Sequence, residues 1–209
     1  MELNQNNKNL DYLPYCSHDY HHYEENEKGV ERSCCQHHCF CLHPAETGHY
    51  ALSACLQMLL CYYRFPHYDQ ESIAHLFDLP GKTLAELVAQ IQSVLAGLTG
   101  GHFESKFHQQ IDKQLVKTEI ATDLRPFMLI RGVTEVTPKS NPGWSFQICA
   151  GFREESSASQ PDFSLHIFNP LPTPIGKAFY EPLGGTEEDR KNCLGVMTLE
   201  RRKGPGAIK

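Results

Sequence analysis

The chain has no apolar run near the ~18 residues that a membrane-crossing helix needs. Its first residues, Met1-Glu2-Leu3-Asn4-Gln5-Asn6-Asn7-Lys8, lack the charged-then-apolar pattern of a secretory leader. A cytoplasmic site is the default expectation, and leaderless export stays open beside it. Positive charge is also scarce. Lys and Arg number 19 against 25 Asp and Glu, a formal net charge of -6 with histidine neutral. A phosphate backbone demands a basic face, so nucleic acid is not the expected partner. No internal repeat is present, and Trp144 is the only tryptophan.

Other features are plentiful. The chain has 209 residues, 40% of them hydrophobic and 21% charged, which suits one globular domain with a core, alone or with an appendage. Cysteines number nine, and five of them lie between Cys16 and Cys41. In a reducing compartment such thiols are buried or bind metal.

The appendage is residues 1–44. Residues 1–15 are polar and Asn-rich and read as a loose terminus. From Cys16 to His43 there are eleven Cys and His in 28 residues, few aliphatics and no periodicity. These residues read as loops held by something other than a hydrophobic core. Zinc takes four thiolate or imidazole ligands, and Cys34, Cys35, His37, His38, Cys39 and Cys41 are the nearest candidates. The spacing has no Cys-x2-Cys pair, so a flexible polar segment or a disulfide-linked one stay open as readings. A metal here would be structural and would order a lobe too poor in aliphatics to order itself.

Helix signals follow. Leu52, Cys55, Leu56, Leu59, Leu60 and Tyr63 make one stripe at helical spacing, from a cap at Thr47 or Gly48 to about Arg64. Asp69 caps a short helix to Phe77. Thr83-Leu84-Ala85-Glu86 is a capping box opening a third helix, which Gly100-Gly101 stops. A fourth is expected over Gln109 to Leu124. Beyond it, Phe127–Ile130, Phe146–Phe152, Phe163–Phe168 and Leu194–Leu199 read as strands. Helices first and strands afterwards mean an α+β fold.

Several of these segments carry a resemblance. Ala51-Leu52-Ser53-Ala54-Cys55-Leu56-Gln57-Met58, Arg125-Pro126, Gly151-Phe152, Asn169-Pro170 and Pro174 to Tyr180 stand in a particular order and spacing. Together they resemble the papain-like cysteine peptidases in the compact form that bacteria use as effectors and leader-processing enzymes. The resemblance covers residues 45–200 and leaves 201–209 as a tail. It implies a papain-like fold, with a helical half packed on a twisted antiparallel sheet. It also implies a nucleophile at the start of the first helix, which here is Ala51. The histidine position, six residues before Gly151, is Ser145. The orienting position is Asn169, and the upstream oxyanion amide falls at Ala45 or Glu46, of which only Glu46 is polar.

Such a site works through a thiolate stabilised by a helix terminus and an imidazolium. Alanine has no lone pair with which to attack. Three expectations follow. The first is a catalytically inactive pseudo-peptidase that binds a peptide or protein partner. The second is an active cysteine peptidase of which Ala51 is a Cys-to-Ala variant. The third is a metal-organised interaction module with a peptidase-like scaffold. His49 reads as an exposed residue before the helix, Cys55 as a small core group and His166 as a satisfied strand histidine. Cys41 lacks the helix terminus that a nucleophile would use.

Overall fold

The computed structural model describes residues 10–12, 23–26, 29–32, 42–65, 68–132, 143–156, 161–171, 176–183 and 193–202. The helical half comprises α1 (Ala51–Tyr62), α2 (Gln70–Ala74), α3 (Leu84–Leu98) and α4 (Lys113–Lys117). The strands are β1 (Leu10–Tyr12), β2 (Tyr23–Asn26), β3 (Gly29–Arg32), β4 (Phe103–His108), β5 (Phe127–Gly132), β6 (Trp144–Ser156), β7 (Pro161–Asn169), β8 (Lys177–Pro182) and β9 (Cys193–Arg201).

α1 is apolar on almost every side, and a helix of that kind is stable only when enclosed. Every residue from Ala51 to Cys61 is buried. The expected cap at Thr47 or Gly48 does not form. A 3-10 turn over Gly48–Tyr50 intervenes, and Tyr50 becomes the N-cap with no side-chain bond to the helix. α2 starts after Asp69, whose carboxylate accepts from the Ser72 N–H at 2.6 Å. It ends at Ala74, short of Phe77. α3 forms as expected, with the reciprocal Thr83–Glu86 capping box in place.

The expected fourth helix is shorter. It begins only after Asp112, which accepts from the Leu115 N–H at 2.7 Å, and continues as a π-helical turn over Thr118–Thr122. Ahead of it lies β4, which the sequence reading passes over. β8 is likewise a strand where the resemblance implies a crossover.

Six antiparallel strands form the main sheet in the order β4-β9-β5-β6-β7-β8, and β1 pairs with β6 in addition. The fold is therefore α+β with an antiparallel sheet. Two expectations for the N-terminal segment are corrected. Leu10–Tyr12 is not loose terminus. β6 has 13 residues and β5 only six, so β5 leaves an open edge past Cys149, and β1 covers it opposite Gly151–Arg153. The loop reading of the Cys/His-rich stretch gives way at β2 and β3, an antiparallel hairpin pairing Tyr23 with Arg32 and Asn26 with Gly29.

Side chains alternate along each strand, so the register fixes the two faces of the sheet. One face carries Met128, Ile130, Phe146, Ile148, Phe168, Met197 and Phe103. Tyr63, the C-cap of α1, packs its ring on Phe103 at 4.6 Å, so α1 meets the sheet on this face. The other face carries Leu129, Cys149, Ile167, Leu165, Phe179 and Val196. Arg131 on β5 and Glu181 on β8 form an ion pair on that second face. In a flat sheet, three interstrand steps of about 4.8 Å would already part them by roughly 14 Å. The sheet must therefore coil, with this face inside the curl. α4 covers one end of the curl. Lys117 bonds Glu154 at 2.6 Å, and the Lys113 and Lys117 ammonium groups lie over the Phe163 ring.

Candidate functional site

Between Leu42 and Tyr50 the chain is fixed by a buried polar network rather than by regular structure. Gln57 is the one amide inside the apolar face of α1. Its Nε2 donates to the Tyr68 carbonyl at 2.9 Å, which leaves Oε1 as acceptor. Oε1 takes Gln70 Nε2 at 3.2 Å and meets His43 Nδ1 at 2.9 Å, so His43 donates from Nδ1. Gln70 Nε2 also reaches the Pro44 carbonyl at 2.8 Å, and its Oε1 accepts from the Glu46 N–H at 2.9 Å. His43, Gln57 and Gln70 are each buried. Three buried side chains thus lock the loop ahead of α1 to both α1 and α2. Spacing of 13 and 14 residues between partners hides this from any local pattern. A lone Gln inside the apolar face of a helix was the available signal.

The same loop touches the end of β7. The Ala45 N–H donates to the Pro170 carbonyl at 2.9 Å. Gly176, at φ +62°, passes so close that an added Cβ would lie 3.1 Å from the Asn169 carbonyl and 3.3 Å from Leu42. Any side chain there would push these segments apart.

The residues singled out from the sequence fall as follows. Ala51 is the first residue of α1 and is 4% exposed. Glu46 is exposed, with only its backbone engaged by Gln70. Ala45, the other residue at the amide position, is fully buried against Pro170. Asn169 turns its side chain back on its own backbone, with Oδ1 accepting from the Leu171 N–H at 3.0 Å. Ser145 lies opposite Arg131 in the β5–β6 ladder.

β7 pairs with β6 up to Ile148–Phe168, so the next step sets Asn169 opposite Gln147, and Ser145 is its diagonal neighbour on one face. That face is the inner one. Trp144, not Ser145, lies on the face that carries α1. Register therefore brings Ser145 and Asn169 together, and the Ala45–Pro170 bond joins Ala45 to the same turn. No bond joins Ser145 to α1 among the described residues.

Among the described residues, three thiols and one imidazole outside this set are held uncharged by burial. Cys55 is fully buried and its thiol is pushed well up by desolvation. Burial likewise pushes Cys149 up to about 12 and raises Cys193. His166 is sandwiched, stacked on Tyr180 at 4.7 Å and tilted against Phe168 at 4.8 Å. Burial lowers its pKa to about 4, so the ring is neutral near pH 7. β7 runs through both His166 and Asn169, and the odd spacing sets them on opposite faces. His49 is exposed. With Tyr50, Leu52, Ser53, Ala74, Phe77, Leu79 and Pro80 it lines a groove of about 200 Å³ beside the first turn of α1.

The metal candidates Cys34, Cys35, His37, His38, Cys39 and Cys41 lie outside the described residues. Among the described residues, no group of three or more His, Cys, Asp or Glu is gathered as a metal would require. No helix among them is long and apolar enough to cross a membrane. The chain matches no family model, and no curated protein matches it.

Proposed function

We propose that this chain is a papain-like body without peptidase chemistry, a pseudo-peptidase that holds a peptide or protein partner. The observation that carries the reading is the first turn of α1. Where the resemblance needs a thiolate there is the methyl group of Ala51, buried at the head of the helix. Loss of a nucleophile by itself removes several orders of magnitude of rate. None of the four described cysteines replaces it. Burial raises the pKa of Cys55, Cys149 and Cys193, which disfavours their thiolates, and Cys61 is enclosed within α1.

The groove beside Tyr50, Leu52, Phe77 and Leu79 is where a partner would anchor. Its volume of about 200 Å³ is below that of a drug-sized site and suits a single apolar side chain of a peptide. The test is a selection of peptides from a display library against the full chain. Selected peptides bind, remain uncut after prolonged incubation, and lose at least tenfold in affinity to Leu79→Arg in a variant shown by its melting curve to be folded. Cleavage of a bound peptide, or unchanged binding to Leu79→Arg, overturns the reading.

A further inference from the structure

The opposite end of α1 carries a larger cavity that the peptidase resemblance does not involve. It measures about 680 Å³, and its aromatic wall is Tyr62, Tyr63, Phe65 and Phe103. That volume lies in the range of small-molecule sites. Two facts set it apart. Among the described residues only Arg64 and Leu124 combine a side chain with a positive φ, at +62° and +52°, and both line this cavity. Left-handed backbone at a residue with a Cβ is unfavourable, and such residues gather where surrounding structure imposes them for a use.

Charge is the second fact. Arg125 at the cavity base is fully engaged: Glu119 takes it at 2.9 and 3.0 Å, with Asp123 alongside and Glu200 at 3.9 Å. Both acids of the lining are thereby committed. Arg64 and Arg201 line the mouth, and neither has an ion-pair partner among the described residues. A helix C-terminus by itself favours a cation. Here the carbonyls of Leu59, Leu60 and Cys61 are already bonded by the N–H groups of Tyr63, Phe65 and Arg64. The two uncommitted guanidiniums are thus the stronger charge. Leu124, 55% exposed at the rim, adds apolar surface.

We infer that this cavity binds a carboxylate carried on an apolar or aromatic body, with Arg64 and Arg201 receiving the carboxylate and the Tyr63–Phe103 wall receiving the body. A free aromatic acid and the C-terminus of a peptide ending in an apolar residue share this chemistry. Guanidinium groups match a carboxylate geometrically, and aromatic faces accept a ring.

The experiment is calorimetric titration of the full chain with N-acetylphenylalanine, with its C-terminal amide, and with a hexapeptide ending in Phe as free acid or amide. At least one acid binds saturably, and its amide binds at least tenfold more weakly. Binding of the N-acetyl acid alone identifies a small-molecule site, and binding of the peptide acid alone identifies a chain terminus. Arg64→Gly and Arg201→Gln each weaken the acid at least fivefold. Glycine suits the left-handed position, so Arg64→Gly remains folded, and Arg201 is exposed near the end of β9. Equal binding of acid and amide, no saturation by either acid, or unchanged affinity in both variants overturns the inference.

Discussion

The two ends of α1 differ in backbone strain, in charge and in the size of the concavity beside them. At its N-terminus the helix has no side-chain cap, a buried alanine, and a neighbouring loop tied down by His43, Gln57 and Gln70. At its C-terminus it has strained backbone, a cavity and two cations that have no ion-pair partner among the described residues. The fold resemblance directs attention to the first end, with its small groove, whereas the larger cavity and the left-handed backbone lie at the second. A comparison with α3 shows why the strain is informative. Both helices close by the same bond pattern, Phe65 N–H to Leu60 and Arg64 N–H to Cys61 in α1, Gly101 N–H to Ala96 and Gly100 N–H to Gly97 in α3. α3 places glycine at the left-handed position, and α1 places arginine there.

The largest expected effect lies at the N-terminal end. Gln57→Leu removes the shared acceptor and donor of the network and leaves buried partners on three segments. Equilibrium urea unfolding should show a loss of about 3 kcal/mol or more. A loss under about 1 kcal/mol would mean that the loop is not held by this network.

A control comes from His166, which lines neither the groove at the first turn of α1 nor the cavity at its far end. The unfolded ring takes a proton below about 6.5, whereas the folded ring resists protonation until about 4. The unfolded state then binds more protons across that window, so stability falls as pH drops from about 6.5 towards 4. Allowing for solvent screening, roughly 2 kcal/mol is lost by pH 4.5. His166→Phe should flatten the slope across that window in urea titrations and leave the behaviour of both helix ends unchanged.

Smaller effects sharpen the comparison of the two closures. Arg64→Gly should stabilise the fold by about 1 kcal/mol, because glycine relieves the left-handed strain. Gly100→Ala should destabilise it by about 1 kcal/mol. The nearest atom to the added Cβ is His102 Cδ2 at 3.7 Å, so the cost is conformational and not a clash. Thermal melts of the two variants should therefore move in opposite directions.

Local chemistry made much of this fold legible in the sequence. Thr83 with Glu86 announced α3, Gly100 announced its end, and apolar runs announced β5, β6, β7 and β9. β4 was not legible because it is an edge strand. Glu104 and Lys106 alternate with Phe103, Ser105 and Phe107, and the exposed charges break the apolar run that marks a buried strand. The closure at Arg64 was hidden because its residue is not glycine. The coil of the sheet shows itself where Arg131 meets Glu181 across two intervening strands, a pairing that no window of sequence contains. Of the candidate site, the order Ala51, Ser145, Asn169 was readable by resemblance. The register that sets Ser145 beside Asn169 and away from the α1 face was not, since it depends on β5–β6 and β6–β7 pairing together.

The most direct test follows the alkylation rate of a thiol placed at the head of α1 by Ala51→Cys, measured as a function of pH. Burial raises that thiol and the helix terminus lowers it, and no imidazole among the described residues is bonded there to tip the balance. The account predicts an apparent pKa at or above the ordinary value of about 8.5 and labelling no faster than a free thiol. A pKa below about 7 with rapid labelling would show a latent thiolate–imidazole pair and contradict the account.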